Sequence, residues 1–229
     1  MLYTEETVRA NIRSREGKRV FYLGKNDTLT PGARDYLTRE RIAVLSAEEA
    51  KPEEYRLLNG GIIREKPEEM THLQGNLLVS KAHPRIAFRG AMDTLQADIL
   101  LCQLTVSGEW RKELQQILEL CRKIVRCDVL EEPLLAEKLC GLTEQELRSH
   151  SHRPQDYYGQ PHFMPDVGDG EVILRLNRLR CAVREAERMA AAAFCDEYGK
   201  AERVDILQAL NRMSSMVYIL MIRMKKNGK

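Results

Sequence analysis

The sequence predicts a mainly α-helical protein, in which a bundle of about five helices follows a small N-terminal α+β module. Two observations lead to this prediction. Apolar residues recur at intervals of three and four from Pro84 to Met224, which is the period of an amphipathic helix. The first 47 residues instead combine short helical patterns with short runs of β-branched and aromatic residues.

A chain of 229 residues corresponds to one or two domains. We expect the α+β module at 1–47, a linker or extended arm at 48–70, and the helical bundle at 71–229. The predicted linker is polar and carries residues that interrupt helices and strands: Pro52, Gly60, Gly61 and Pro67.

In the module, the patterns predict helices at 4–12 and 33–39 and strands at 19–23 and 42–45. Thr30 suits the N-cap of the second helix, and Pro31 suits its first position. In the bundle, the predicted helices lie at 85–105, 110–130, 132–140, 171–198 and 204–224. A further helix opens at Thr143, where Glu146 completes a capping box, and 149–170 is predicted to be a loop.

Composition excludes several classes of protein. Charged residues make up 31% of the chain but the net charge is only +2, which disfavours both a nucleic-acid-coating protein and an acidic disordered tail. No apolar run approaches the ~18 residues of a membrane span, and the N-terminus shows no signal peptide. The six cysteines form no C-x-x-C pair, so we expect reduced core thiols in a cytosolic protein and no zinc site.

Three arginines are spaced four residues apart in one predicted helix: Arg180, Arg184 and Arg188. This spacing keeps them near one helix face, with Glu187 close by. Guanidinium groups bind phosphate oxygens in pairs, so a triphosphate is a suitable partner for the row. The alternative is a solvated helix face whose arginines pair with Glu185 and Glu187.

Polar residues also interrupt two apolar helices. Asn211 lies in the last helix, where it could bind a ligand or a neighbouring helix, and the same helix carries Ser214, Ser215 and Tyr218. Asp93 lies on a helix that otherwise faces inward, so it should find a cation unless it is half-exposed.

The polar stretch from Thr71 to Asn76, followed by Lys81, is a weak candidate for a phosphate-binding loop. The histidines His150, His152 and His162 could be interpreted as a metal cluster. The absence of an HExxH motif and of a nearby cysteine disfavours that interpretation.

Three motifs taken together resemble the ATP:corrinoid adenosyltransferases. They read HPRIAFRGAMDTL at 83–95, LRCAVREAER at 179–188 and ALNRMSS at 209–215, in the family's order. Further stretches resemble the ethanolamine-utilisation branch: Lys66-Pro67 followed by THL at 71–73, LTPGAR at 29–34, SHRP with a tyrosine at 151–157, and DILQALN at 205–211.

This resemblance implies an enzyme that transfers the 5′-deoxyadenosyl group of ATP to the cobalt of reduced cobalamin, for use by ethanolamine ammonia-lyase. It implies a homo-oligomer, with a trimer favoured, that binds ATP and Mg²⁺ between subunits. A reductase is a further implied partner. The expected location is the cytoplasm, in association with a bacterial microcompartment, without nucleic-acid or membrane partners.

The resemblance also assigns roles to residues. Catalysis would involve Arg184, Arg188 and Glu187, of which Glu187 orients the arginines or the magnesium shell. The residues implied to bind ATP are Thr71, His72, Lys81, Arg184, Arg188 and Asn211. Asp93 would pair with Arg180 across a subunit interface, and Phe163 would lie below the corrin ring and displace the lower cobalt ligand.

The chain departs from the branch at one point. Some members carry a His/Cys cluster ending in C-C-x-x-C before the segment like Lys66-Pro67, whereas this chain has no cysteine before Cys102. We expect activity without that metal site. Two other classes of function remain open: a non-catalytic sensor or docking module for a nucleotide or corrinoid, and a bundle that binds polyanions with a steep salt dependence.

Overall fold

The computed structural model describes residues 1–15, 18–48 and 54–227. The chain divides into two compact units, Met1–Lys66 and Pro67–Lys229. Residues 49–53 of the predicted linker lie outside the described residues, and 54–66 belong to the first unit.

The first unit is an α+β module, as predicted. Its elements in chain order are β1 (Leu2–Tyr3), α1 (Glu5–Ala10), β2 (Arg13–Arg15), β3 (Lys18–Leu23), β4 (Thr28–Leu29), α2 (Pro31–Arg39), β5 (Ala43–Ser46), β6 (Tyr55–Leu57) and β7 (Ile62–Ile63). Strand β3 pairs antiparallel with β2 and parallel with β5, while β1 pairs parallel with β4 and β6 pairs antiparallel with β7.

Local sequence accounts for α2. The Thr30 side chain accepts a hydrogen bond from the Ala33 amide, and Pro31 occupies the first turn, where its missing N–H costs nothing. The helix then buries Leu37 against Phe21 of β3 and Val8 of α1 in the core of the module. Both predicted strands and both predicted helices are present, with ends shifted by one or two residues.

The predicted linker contains a hairpin that its polar composition did not indicate. Strands β6 and β7 are joined by a turn in which Gly60 adopts a φ of +83°, a conformation that glycine reaches without steric cost. Such short strands carry too few side chains to leave a period-two pattern in the sequence.

The second unit contains a β-hairpin and a helical bundle, and the bundle is the part that the predicted fold class includes. Its elements are β8 (Met70–Gln74), β9 (Leu77–Ser80), α3 (Pro84–Gln103), α4 (Gly108–Leu130), α5 (Glu144–His152), α6 (Pro154–Tyr158), α7 (Gly170–Phe194) and α8 (Val204–Asn227). Helix α7 packs against α3 and α8, α3 packs against α4, and α5 packs against α8. No helix in the described ranges is long and apolar enough to span a bilayer.

Three sequence predictions for this unit are wrong. The stretch 149–170, expected to be a loop, contains the end of α5, the whole of α6 and the first residue of α7. Pro154 lies in the first turn of α6, where its missing N–H costs nothing. The stretch 71–76, expected to be a loop, forms β8 and a tight turn at Gly75. The stretch 132–140, expected to be a helix, is not helical. Glu131 ends α4 with a left-handed φ of +55°, and the Leu134 amide then donates to Asp205 Oδ2 at 2.8 Å instead of to a helical carbonyl.

A buried carboxylate links the hairpin, α3 and α4. Asp128 of α4 has no solvent-exposed surface, and it accepts hydrogen bonds from Arg85 Nε at 3.0 Å and Arg89 Nε at 2.6 Å. Arg89 Nη1 also donates to the Leu73 carbonyl of β8 at 3.0 Å. Arg89 therefore anchors β8 to the bundle, and Asp128 compensates for the burial of the charge of both arginines.

We predict that Asp128→Asn lowers the free energy of unfolding by about 3–5 kcal/mol, because it removes the fully buried carboxylate that compensates two mostly buried guanidinium groups. Of the two, Arg85 would keep the exposed Glu131 as a partner at 3.4 Å. Urea denaturation of the full chain measures this change. A matched control is Glu171→Gln, which removes an exposed partner of Arg175 and should cost less than about 1 kcal/mol. Equal losses in the two variants would contradict the anchoring role of Asp128.

Candidate functional site

Helices α7 and α8 enclose a cavity of about 800 Å³ together with the end of α5 and the segment 162–165. The cavity has polar and apolar walls. Its lining residues are Ser151, His152, His162, Phe163, Met164, Pro165, Asn177, Arg180, Arg184, Glu187, Asn211, Ser214, Ser215, Tyr218 and Met221. The volume lies within the usual range for a small-molecule site.

The wall from α7 is a polar stripe made by helical spacing. Asn177, Arg180, Arg184 and Glu187 recur at intervals of three and four residues, so one face presents all four to the cavity. Arg188 does not line the cavity. A step of four residues advances about 40° beyond a full turn, so Arg188 has rotated out of the stripe.

Arg188 is instead 74% exposed and forms an ion pair with Glu185. This is the partner that the solvated-face interpretation assigned to it. Within the described residues, neither Arg180 nor Arg184 has a carboxylate within the 4.0 Å of an ion pair, and Glu187 is the one acidic residue of the lining. The stripe therefore presents two uncompensated cations to whatever enters the cavity.

The wall from α8 contains the polar residues that interrupt its apolar pattern. Asn211 donates through Nδ2 to Glu187 Oε1 at 2.8 Å, so it binds the neighbouring helix. Tyr218 lies two turns further along the same face, with the Arg180 guanidinium 5.1 Å from its ring centroid. This cation–π contact holds Arg180 in the cavity.

Asp93 and Arg180 are not paired within this chain. Asp93 is exposed on α3, and no cation in the described ranges lies within ion-pair distance of it. The sequence allowed two interpretations of Asp93, a carboxylate paired with a cation or a partly exposed acid. In the single chain Asp93 is an exposed acid. Its predicted role at a subunit interface stays a prediction.

The apolar wall is formed by Phe163 and Met164. The Phe163 ring is half-buried, and the Nζ atom of Lys225 on α8 lies 4.4 Å from the centroid of that ring. Lys225 in turn forms an ion pair with Asp169, the residue that precedes α7. Met164 is 88% exposed at the edge of the cavity. Phe163 is therefore the fixed apolar group of this wall, and Met164 is the projecting one.

The histidines have partners other than a metal. His150 Nδ1 lies 2.7 Å from the Tyr158 hydroxyl, and His162 Nδ1 lies 2.9 Å from the Tyr218 hydroxyl. In the described ranges no three His, Cys, Asp or Glu residues are grouped to hold a metal ion.

Burial raises the pKa of the Cys121 thiol to about 12, as expected for a core thiol.

Comparison with known proteins identifies the family of the chain. The profile of the family described as cobalamin adenosyltransferase matches residues 62–224, which include every residue of the cavity. The chain belongs to the cobalamin adenosyltransferase family. Membership makes it a transferase, and this favours the enzymatic interpretation over the sensor and polyanion-binding alternatives.

Curated relatives confirm the predicted branch. The corrinoid adenosyltransferase EutT of Salmonella typhimurium is 34% identical over 242 aligned positions, which cover 96% of this chain and 90% of the relative. EutT of Escherichia coli K12 is 32% identical over the same shares of the two chains. Because the matches cover 96% of the chain, this adenosyltransferase shares most of its N-terminal module with them.

The remaining predicted ATP ligands lie in the β8–β9 hairpin of the adenosyltransferase. Thr71 and His72 are in β8, and Lys81 directly follows β9. None of the three is among the residues that line the cavity. His72 Nδ1 lies 3.0 Å from the Gly75 carbonyl, so the imidazole closes the turn of its own hairpin.

Sequence reasoning missed two parts of this adenosyltransferase site and one ion pair outside the cavity. Asn177 extends the α7 stripe by one turn, and its three-residue spacing from Arg180 was the available signal. His162 was considered only as a metal ligand, and its contact with Tyr218 spans 56 positions. The binding of Arg85 to Asp128 spans 43 positions, and no local pattern indicates it.

The Asp169–Lys225 pair predicts a pH dependence of stability. The hydrogen bond from Lys225, assisted by the Asp166 amide, holds the pKa of Asp169 below its usual 3.8. A carboxylate with a lowered pKa contributes stability that is present above the unfolded pKa and disappears as pH falls through the folded pKa. Asp169→Asn should therefore destabilise the protein by a constant amount above about pH 5, and the difference from wild type should shrink below about pH 4.

Urea denaturation from pH 7 to pH 3 measures this difference. Asp156→Asn is the control, because Asp156 lies in an exposed pair 3.9 Å from Arg153 and its loss should change little at any pH. A difference for Asp169→Asn that stays constant down to pH 3 would show that the ion pair does not stabilise this wall.

Proposed function

We propose that the protein transfers the 5′-deoxyadenosyl group of ATP to the cobalt of reduced cobalamin, and that the adenosylcobalamin supplies ethanolamine ammonia-lyase. The observation that carries the proposal is one cavity that is lined both by the guanidinium groups of Arg180 and Arg184 and by the aromatic ring of Phe163. One wall suits an anion, and the other suits an apolar face of a large ring.

The polar wall is suited to a triphosphate. The planar fork of arginine binds two phosphate oxygens at once. Among the described residues Arg184 has no ion pair to break first. Arg188 can join it at little cost, because an ion pair as exposed as the one with Glu185 contributes less than about 1 kcal/mol. Asn211 and Glu187 then remain for hydrogen bonds to the nucleoside or to water around the phosphates.

Mg²⁺ would be held mainly by the phosphates of ATP, with Glu187 as the one carboxylate of the lining. The described residues contain no group of three protein ligands for a metal ion, which fits a cation that arrives with the nucleotide. When bound, Mg²⁺ supplies positive charge that neutralises the phosphate oxygens.

The reaction is a displacement at the 5′ carbon. Cobalt(I) donates an electron pair to form the cobalt–carbon bond, and the C5′–O bond breaks with its electrons on the departing triphosphate. No protein group forms a covalent bond. Arg184 and Arg188 stabilise the charge that develops on the leaving group, and the walls align C5′ with the metal and exclude water.

Phe163 would lie below the corrin ring, where an apolar side chain displaces the lower axial ligand of cobalt. Removal of that ligand makes the reduction of cobalt(II) to cobalt(I) easier. The ring is already held by Lys225 before any ligand enters, so little conformational freedom is lost on binding. A reductase would supply the electron.

The predicted ATP ligands divide into two sets on one chain. Arg184 and Asn211 line the cavity, whereas Thr71, His72 and Lys81 lie in the hairpin. We propose a homo-oligomer, with a trimer favoured, in which the hairpin of one copy completes the cavity of the next. The exposed carboxylate of Asp93 would then pair with Arg180 of the neighbouring copy. The expected location is the cytoplasm, in association with a bacterial microcompartment.

The first test is the arginine row. Arg184→Met and Arg188→Ala should each lower ATP-dependent adenosylation by at least about a hundredfold, because one lost contact to developing phosphate charge costs about 3 kcal/mol. The assay is anaerobic and contains full-length protein, ATP, Mg²⁺ and reduced cobalamin, and it follows the absorbance of the cobalt–carbon product.

Arg175→Met is the matched control, because Arg175 lies on the same helix in an exposed pair with Glu171 and outside the cavity. It should retain near-wild-type turnover. Circular dichroism should show unchanged helix content in all three variants. Near-wild-type turnover of Arg188→Ala would remove Arg188 from the site, and no turnover by the wild type would refute the proposed reaction.

The second test separates reduction from transfer. Phe163→Ala should lower turnover from cobalt(II)alamin plus reductant at least about tenfold more than turnover from cobalamin already reduced to cobalt(I), since an axial-ligand effect acts on the reduction. Met164→Ala is the comparison at the neighbouring apolar position. Equal losses in the two assays for Phe163→Ala would exclude Phe163 from that role.

A further inference from the structure

The segment that carries Phe163 has an unusual support. Pro161 and Pro165 flank it and lack amide hydrogens, and in the described residues His162, Phe163 and Met164 make no backbone–backbone hydrogen bond. Its position is therefore determined by its side chains. His162 provides two of these attachments, through Nδ1 to the Tyr218 hydroxyl at 2.9 Å and through Nε2 to the His152 carbonyl at 3.2 Å.

The two attachments determine where the protons lie. A carbonyl oxygen only accepts hydrogen bonds, so Nε2 of His162 carries the hydrogen and donates to His152. In a neutral imidazole Nδ1 then carries no hydrogen, and it accepts a hydrogen bond from the Tyr218 hydroxyl. The ring is a bridge with one donor and one acceptor, between the end of α5 and the face of α8.

The corner between α5 and α6 explains why the His152 carbonyl is available. In a continuous helix this carbonyl would accept from the Asp156 amide, four residues later. Here Arg153 leaves helical geometry with φ −131° and ψ 57°, and the Asp156 amide donates to the Arg153 carbonyl at 3.1 Å. Pro154 begins α6 and has no amide hydrogen to offer.

Tyr218 is itself held by three contacts to its ring. The Arg180 guanidinium lies 5.1 Å from the ring centroid, and the Phe163 ring lies 6.5 Å away at an interplanar angle of 20°. The imidazole of His162 is nearly parallel to the tyrosine ring, at 12° and 5.8 Å. These contacts restrict the ring, so its hydroxyl is presented to His162 in a defined direction.

We propose that His162 and Tyr218 form a positioning pair that holds Phe163 at the depth in the cavity where adenosylation requires it. Neither residue needs to touch the reacting atoms. Loss of the pair would leave Phe163 with its contacts to Lys225, to the Tyr218 ring and to the neighbouring hydrophobic core. A small displacement of a group aligned with a reacting centre costs much of its effect. The inference rests on the function proposed above for Phe163.

The test uses variants that remove one attachment at a time. Tyr218→Phe removes the hydroxyl but keeps the ring over which Arg180 lies. His162→Gln keeps a donor for the His152 carbonyl, His162→Asn keeps an acceptor for Tyr218, and His162→Ala keeps neither. The matched control is Tyr158→Phe, which removes the hydroxyl of the other His–Tyr pair, 2.7 Å from His150 and outside the cavity.

Two readouts are measured on the full-length protein. Amide ¹⁵N order parameters at positions 162–164 report the attachment of the segment. They should fall from about 0.85 to below about 0.6 in Tyr218→Phe and His162→Ala and keep the wild-type values in Tyr158→Phe. The kcat for adenosylation of cobalt(II)alamin should fall about tenfold in the same two variants, while KM for ATP changes less than twofold.

Three further results would support the proposal that His162 and Tyr218 act together through one hydrogen bond. The Gln and Asn variants of His162 should have kcat values between wild type and His162→Ala. Tyr218→Phe should lower kcat no further when introduced into His162→Ala, because the hydroxyl then has no imidazole partner. The loss of kcat should be smaller with cobalamin already reduced to cobalt(I).

The opposite results overturn the proposal. Unchanged order parameters in Tyr218→Phe would show that the hydrogen bond does not hold the segment. Lower order parameters with unchanged kcat would show an attachment without a positioning role, and multiplied losses in the double variant would show two independent effects. If the wild type does not adenosylate cobalamin, the proposed function fails, and the order parameters still decide whether the pair holds the segment.

Discussion

The packing of α7 against α8 is the constraint on which the site depends. Each helix buries one apolar stripe: Leu179, Val183 and Ala186 on α7, and Leu210, Met213 and Val217 on α8. Two helices that share such a core must place the residues beside their stripes next to each other along the whole contact. The polar residues from Arg180 to Glu187 and from Asn211 to Tyr218 therefore face one cavity without any specific loop to arrange them.

Burial divides the arginines of the bundle into two kinds. Arg85 and Arg89 have a fully buried carboxylate, Asp128, as their partner, and their charge is used inside the structure. Arg180 and Arg184 have no such partner in the described ranges, and their charge remains available to a ligand. The same side chain thus serves as an anchor or as a recognition group, according to whether a carboxylate is buried with it.

The sequence predicts what repeats with the period of a helix and misses what depends on distant contacts. The polar stripes of α7 and α8 and the N-cap at Thr30 follow from local patterns. The arginine row was only partly predictable, because a spacing of four drifts about 40° per step and takes Arg188 out of the cavity. The extended path after Glu131 depends on the amide of Leu134 reaching Asp205, which no pattern within 132–140 indicates.

The anchoring of the hairpin bears on how the remaining ATP ligands could reach the cavity. Arg89 joins Leu73 of β8 to Asp128, and the hydrogen bonds of the β8–β9 pair hold Thr71 in register with Val79. A segment supported in this way cannot move into the cavity of its own chain without breaking the hydrogen bond that the mostly buried Arg89 guanidinium donates to the Leu73 carbonyl. A hydrogen bond to a charged group contributes about 1.5–3 kcal/mol. If Thr71 and Lys81 contact ATP together with Arg184, as we propose, a second copy of the chain is the economical way to bring them there. On this argument, oligomerisation is a condition for forming the nucleotide site.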